Sequence, residues 1–304
     1  MTTRTVFCAA LLVLASAPAF AATPISQVRP LSATGSVSIE NMKGRIVVRT
    51  WDRAQVGITG SLGEGVEKLV VEGTADNLRI EVRYPSGGGS WFGWGGKSGQ
   101  GQASAIEVSV PNGAGVAVDS VSASVDVSGV AGRSLSVDTV SGDVLVRAAQ
   151  PGKASIDSVS GDLDLELQTA SLAVDTVSGE VRIRGGVTGV VEVETVSGDV
   201  ELAAGQVERL AISSVSGDSR VRASLAPGGR ITADSVSGGL ILALPRDTSA
   251  RLRVETFSGD ITSPAGEVNS EPYGPGKSLQ TRLGAGAGDI GLESFSGDVR
   301  IDLE

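Results

Sequence analysis

Val140-Ser141-Gly142-Asp143, Val159-Ser160-Gly161-Asp162, Val196-Ser197-Gly198-Asp199 and Val215-Ser216-Gly217-Asp218 are four copies of one phrase. Variants are Val177-Ser178-Gly179-Glu180, Val236-Ser237-Gly238-Gly239, Phe257-Ser258-Gly259-Asp260 and Phe295-Ser296-Gly297-Asp298, with a degenerate first copy at Val121-Ser122-Ala123-Ser124. The serines stand at 122, 141, 160, 178, 197, 216, 237, 258 and 296, in steps of 19, 19, 18, 19, 19, 21, 21 and 38, the last being twice 19. So constant a step marks a repeat architecture in which each unit buries its apolar face against its neighbours.

Working outward from the serine as position 0, positions −6 and −4 are apolar in most copies (Leu135 and Val137, Leu172 and Val174, Val191 and Val193). So are +3 and +5 (Val144 and Val146, Leu163 and Leu165, Val200 and Leu202), with polar residues such as Asp164, Arg182 and Glu201 between them. This period-two alternation reads as strand, tight turn, strand. Ser-Gly-Asp supplies the turn, since glycine tolerates positive φ and serine and aspartate bond local backbone. The motif valine is expected to help fill a thin core. No helical pattern separates the copies, and a second break such as Ala148 to Gly152 or Ala226 to Gly229 closes each one. Equivalent strands can then lie parallel, about 4.8 Å apart, so nine copies make a rod of roughly 40 Å.

The fold expected is therefore all-β, a parallel β-solenoid (β-helix) of coils of about 19 residues with an irregular N-terminal β cap. Residues 112–304 carry the regular repeats and 22–111 blurred ones: Val37, Ile39, Met42, Gly44, Ile46 and Val48 fall in the phase of a coil. Leu69 and Val71 with Leu78, Ile80 and Val82 give a strand pair, and Ile106 to Pro111 another strand. Two Gly-rich stretches, 85–102 and 263–288, read as loops leaving the coil.

Residues 1–21 have the form of a secretory signal peptide: Arg4, an apolar run from Val6 to Ala15, and the small-x-small site Ala19-Phe20-Ala21. The run is shorter than the about 20 residues a spanning helix needs. No later stretch is long and apolar enough to span as a helix, and no anchor or translocation domain is evident. The expected location is a bacterial periplasm or cell surface. Cys8 precedes most of the apolar run and is no lipidation site, so the exported chain has neither cysteine nor histidine. That excludes Ser-His-Asp and Cys-His nucleophile systems and the usual zinc sites. Removing Arg4 from 25 basic residues against 35 acidic ones leaves a net charge of −11, which argues against nucleic acid as a partner.

The repeat places acids in two columns, at −3 (Asp119, Asp138, Asp157, Asp175, Glu194, Asp234, Glu255, Glu293) and at +2 (Asp143, Asp162, Glu180, Asp199, Asp218, Asp260, Asp298). Stacked carboxylates could hold Ca²⁺, with Asp138, Asp143, Asp157 and Asp162 the candidate ligands. The favoured expectation is solvated or backbone-bonded turn acids with no cofactor, because the spacing is not that of calcium β-rolls. Position −2 is a hydroxyl column (Ser120, Thr139, Ser158, Thr176, Thr195, Ser214, Ser235, Thr256, Ser294), expected to point inward. No acid pair stands out from the repetition, so no catalytic residue is assigned. The residues that break the repeat are Trp91, Phe92, Trp94 and Tyr273, with Tyr84 and Lys97 nearby; the first four are the candidate contacts for a partner.

The signal segment, Gly44-Arg45-Ile46-Val47-Val48 followed by Thr50-Trp51-Asp52, and the serial Val-Ser-Gly-Asp-Val coils together resemble the bacterial repeat family of unknown function named "putative adhesin". The resemblance covers nearly all of the exported chain. It implies a β-solenoid of the cell envelope and carries no catalytic assignment. The expected function is non-enzymatic binding or scaffolding of an envelope protein, glycan or surface component. The alternatives are a polysaccharide-active β-helix enzyme and an envelope-stress or signalling component.

Overall fold

The computed structural model describes residues 22–85 and 101–304. The signal segment and the candidates Trp91, Phe92 and Trp94 lie outside the described residues. Twenty-one strands and no helix fall among those described, so no described helix could cross a membrane.

The coils stack in parallel and in register. Ser160 lies against Ser141 on one side and Ser178 on the other, and the ladder runs on through Ser197, Ser216 and Ser237. Positions −6, −4, +3 and +5 are the core: Leu135, Val137, Val144, Val146, Ile156, Leu163, Leu165, Val174 and Ile183 are all buried. Valine, isoleucine and leucine suit such strands because branched side chains pack well on a pleated, covered surface.

The turn explains the phrase. The motif serine donates its hydroxyl to the −1 carbonyl of the preceding coil: Ser141 to Val121 at 3.2 Å, Ser160 to Val140 at 3.2 Å and Ser178 to Val159 at 3.3 Å. The glycine takes a left-handed φ, for example +129° at Gly161 and +122° at Gly179. The +2 aspartate accepts the +2 backbone N–H of the next coil: Asp143 from Asp162 at 3.1 Å, Asp162 from Glu180 at 2.9 Å, Asp199 from Asp218 at 2.9 Å and Asp218 from Gly239 at 2.9 Å. The serine and the aspartate therefore each tie one coil to another, while the glycine lets the chain turn.

Two features depart from simple sequential stacking. The Ser296 coil (strands Gly288–Ser296 and Val299–Leu303) lies between the Ser237 and Ser258 coils, pairing with both. The step of 38 is thus no missing copy; a strand pair of another kind fills the interval. At the other end the strand Ser36–Trp51 likewise sits between Gly115–Ser128 and a split coil formed by Asn77–Arg83 and Ser104–Pro111. Eleven coils result, a stack of about 48 Å at the usual strand spacing.

Antiparallel strands cover both ends. Lys68–Gly73 pairs with Asn77–Arg83, and Gln55–Leu62 with Ser104–Pro111; Lys277–Leu283 pairs with Ala250–Ser258. The stretch 263–288, expected to be a loop, therefore contains a capping strand. Its apolar residues, Leu279 and Leu283, were too few to show a repeat phase. Caps of this sort remove the open edges that would otherwise invite pairing with other chains.

Candidate binding groove

Side chains alternate along a strand, so −2 faces the core while −1 and −3 share the outer face. The motif valines are accordingly not core residues. Val121, Val140, Val159, Val177, Val196, Val215 and Val236 are each 46–51% exposed. The sequence held the signal: valine at −1 stands in the phase of the acids at −3, not of the apolar residues at −4 and −6. Met42 extends the column at one end, and Phe295 and Phe257 at the other, their rings stacked 5.0 Å apart and 9° from parallel. Ten rungs give a ladder of about 43 Å.

Beside it runs the −3 column, in register from Asp119 to Asp138, Asp157, Asp175 and Glu194. It passes Ser213 and continues through Asp234, Glu293 and Glu255. From Asp119 and Val140 to Phe257, the two columns and the −2 residues between them line one groove of about 1250 Å³. The 263–288 segment brings Glu271, Lys277 and Ser278 to the phenylalanine end of it. There Lys277 Nζ pairs with the Asp260 carboxylate. Tyr273, in the same segment, is fully exposed and does not line the groove.

Stacked carboxylates raise one another's affinity for protons. Partial burial and the charges of Asp138 and Glu40 push Asp119 above the usual carboxylate range. Asp138 is raised by burial and then by the neighbouring Asp157, and Asp175 by burial and then by Glu194. Among the four acids considered for Ca²⁺, Asp138 and Asp157 are adjacent in this column, while Asp143 and Asp162 belong to the turn ladder and spend a carboxylate oxygen on backbone. The columns are thus separate surfaces. Among the described residues no group of three or more acidic side chains is placed to hold a metal ion.

The −2 hydroxyls are buried, as their phase requires. Some bond the turn, such as Ser120, which accepts from the Ala123 N–H at 2.9 Å, and Thr176, which donates to the Ser178 carbonyl at 3.3 Å. The hydroxyl oxygens of Ser158, Thr195, Ser214 and Ser294 have no hydrogen-bond partner among the described residues. Replacing Thr195 with valine keeps the shape and removes an unpaired polar atom, so the urea midpoint should hold or rise by up to about 1 kcal/mol of stability. Tyr84 is half-buried and donates to Asn41 Oδ1 at 2.9 Å or the Lys43 carbonyl at 3.0 Å, bracing the first coil.

A family model described as Toastrack DUF4097 matches residues 35–302, which spans the stack and its inserted strands. The chain belongs to the Toastrack DUF4097 family. The solved structures similar to this Toastrack chain include a "putative adhesin" from Parabacteroides distasonis, at 13% identity and TM-score 0.53, covering 92% of this chain and 97% of that one. Another, a "putative adhesin" from Parabacteroides merdae, has 11% identity and TM-score 0.48 over 92% and 96%. At such identity the first of these likenesses concerns the fold alone. No curated protein matches the Toastrack chain.

Proposed function

We propose that the protein is a non-enzymatic, exported binding or scaffolding protein of the bacterial cell envelope, and that the groove is where it holds an extended partner. The observation that carries this reading is the continuous exposed ladder from Val121 to Phe257 beside the −3 acids. Contiguous apolar surface of this length is uncommon on a protein without a partner. Its repetition suits a long partner contacted at many equivalent points, whereas catalysis needs a constellation that occurs once. Apolar rungs beside carboxylates fit a partner presenting apolar and cationic groups together. The signal-like segment supports export, and the adhesin names of the structural neighbours accord with an envelope role.

A fluorescent peptide alternating leucine and lysine is a direct probe. Anisotropy should show salt-sensitive binding that weakens about tenfold when Val177 and Val196 are both changed to serine. Those outward positions should leave thermal melting within about 0.5 kcal/mol of the wild type. Equal binding by the double variant would remove the groove from the reading. The raised carboxyl of Asp138 beside Asp157 keeps a polysaccharide-active enzyme as the second reading. Glycan hydrolysis or elimination that disappears in Asp138→Asn and Asp157→Asn would establish it instead.

A further inference from the structure

The opposite character gathers on another face of the stack. Position −7 is Ser134, Lys153, Ser171 and Val190 in the middle coils, and then becomes Arg209 and Arg230. Because the Ser296 coil is seated out of sequence order, the next rungs are Asp289 and Arg251, and the capping strand adds Arg282 opposite Arg251. Five consecutive rungs thus hold four arginines and one aspartate. Arg253, two residues along from Arg251, adds a fifth guanidinium. In a chain of formal charge −10 this is a local reversal of sign. A cleft of about 660 Å³ opens here, lined by Arg230, Arg251, Arg253, Arg282 and Asp289.

The internal pairings leave this cluster undercommitted. Asp289 takes both oxygens to Arg251, at 2.8 and 3.0 Å, and reaches Arg230 only at 3.8 Å. Arg251 and then Arg230 hold its carboxyl below the usual range. Arg253 turns to Glu255 at 2.8 Å. Arg209 and Arg282 have no carboxylate within ion-pair distance among the described residues. The floor is Gly291, in the interior of a strand, where a Cβ would meet nothing within 4 Å. A glycine costs a strand stability, and one facing open space serves where something else must come close to the backbone. Thr232, Leu252, Gln280, Thr281 and Ile290 complete the wall.

We propose that this cleft binds a phosphate-type oxyanion. Guanidinium groups are donors only and cannot satisfy one another. Their planar forks match the several acceptor oxygens of a phosphate, and such charge-assisted bonds are the strong ones. The cleft is separate from the acidic groove and repels the cationic partner that the groove attracts. Its source is either a soluble phosphate ester or the headgroup of an anionic phospholipid, which share this chemistry.

The test measures the purified protein against pyrophosphate by calorimetry at low salt, and against phosphatidylglycerol vesicles by co-sedimentation, with phosphatidylcholine vesicles as the neutral control. Saturable binding to either anionic probe is expected; binding of pyrophosphate identifies a soluble phosphate, and binding to vesicles alone identifies the headgroup. Arg230→Gln together with Arg282→Gln should weaken it by about tenfold or more. Gly291→Glu should do the same by placing a carboxylate on the floor, with an unchanged melt because the position is open. The Val177 and Val196 serine variant should bind normally. Absence of binding to both probes, or binding that survives both the arginine and the Gly291 changes, overturns the proposal.

Discussion

Gly179→Val is expected to destabilise the protein by about 2–6 kcal/mol, seen as a large drop in the urea midpoint at nearly constant m-value. Two costs add. Gly179 has φ +122°, and a β-branched residue held there is strained by about 1–3 kcal/mol. Its Cβ would also lie 2.2 Å from the carbonyl oxygen of Gly161 in the coil beneath. Backbone in a ladder cannot step aside as a side chain can, and overpacking of that kind costs about 1–3 kcal/mol. A Cβ on Gly198 would likewise lie 2.1 Å from the Gly179 oxygen, so the turns are stacked closely and a displaced one passes its strain up the column. A midpoint within experimental error of the wild type would mean that the turns are not in contact as described.

The second large effect belongs to Asp126, the one buried acid among the described residues. Arg49 grips it with both nitrogens, at 2.8 and 3.1 Å, and Arg147 donates to both of its oxygens at 3.1 and 2.9 Å. Arg45 stands at 3.4 Å. These bonds, Arg49 foremost, hold its carboxyl at about 2 against an ordinary 3.8. A folded pKa below the unfolded one means that the unfolded chain binds the proton first, so the stabilisation is complete above about pH 4 and is lost as the pH falls through about 2. The size of the shift corresponds to about 2.5 kcal/mol at neutral pH. Asp126→Asn should lose about that much at pH 7 and converge with the wild type near pH 2. Asp119, Asp138 and Asp175 act in the other sense: their raised values favour the folded state at low pH, and that advantage fades as the pH rises through them. Comparing wild type and variant cancels their contribution. A constant gap from pH 7 to pH 2 would exclude Asp126 as the source.

The strands, the turns and the inward hydroxyls were legible in the sequence because each rests on a period that a single chain displays. Ser141, Gly142 and Asp143 announce a turn, and Leu135 and Val137 announce a face. The exposed valine ladder was written in the same period but obscured by composition, since valine suggests a core and only its phase says otherwise. The order of the coils was not legible. Ser237, Ser258 and Ser296 carry nearly the same phrase, and nothing local tells a strand which equivalent neighbour to choose. For the same reason nothing local marks Arg209, Arg230, Arg251 and Arg282 as neighbours. Asp126 was hidden too, because its partners Arg45 and Arg49 come from a coil some 80 residues earlier.

The seating of residues 288–303 between two earlier coils has a consequence for how the chain reaches its shape. A solenoid stacked in sequence order can zip up behind the advancing chain, each unit settling on the last. Here the segment 250–262 has no parallel neighbour until 288–303 arrives to bridge it to 230–244. The strand Ser36–Trp51 waits in the same way for 77–83 and 104–111. A chain formed from its N-terminus completes its first end once residues 115–128 are present, and then holds a regular middle whose far end stays unsealed until 288–303 is in place. Closing that end requires contacts distant in sequence, which slows folding.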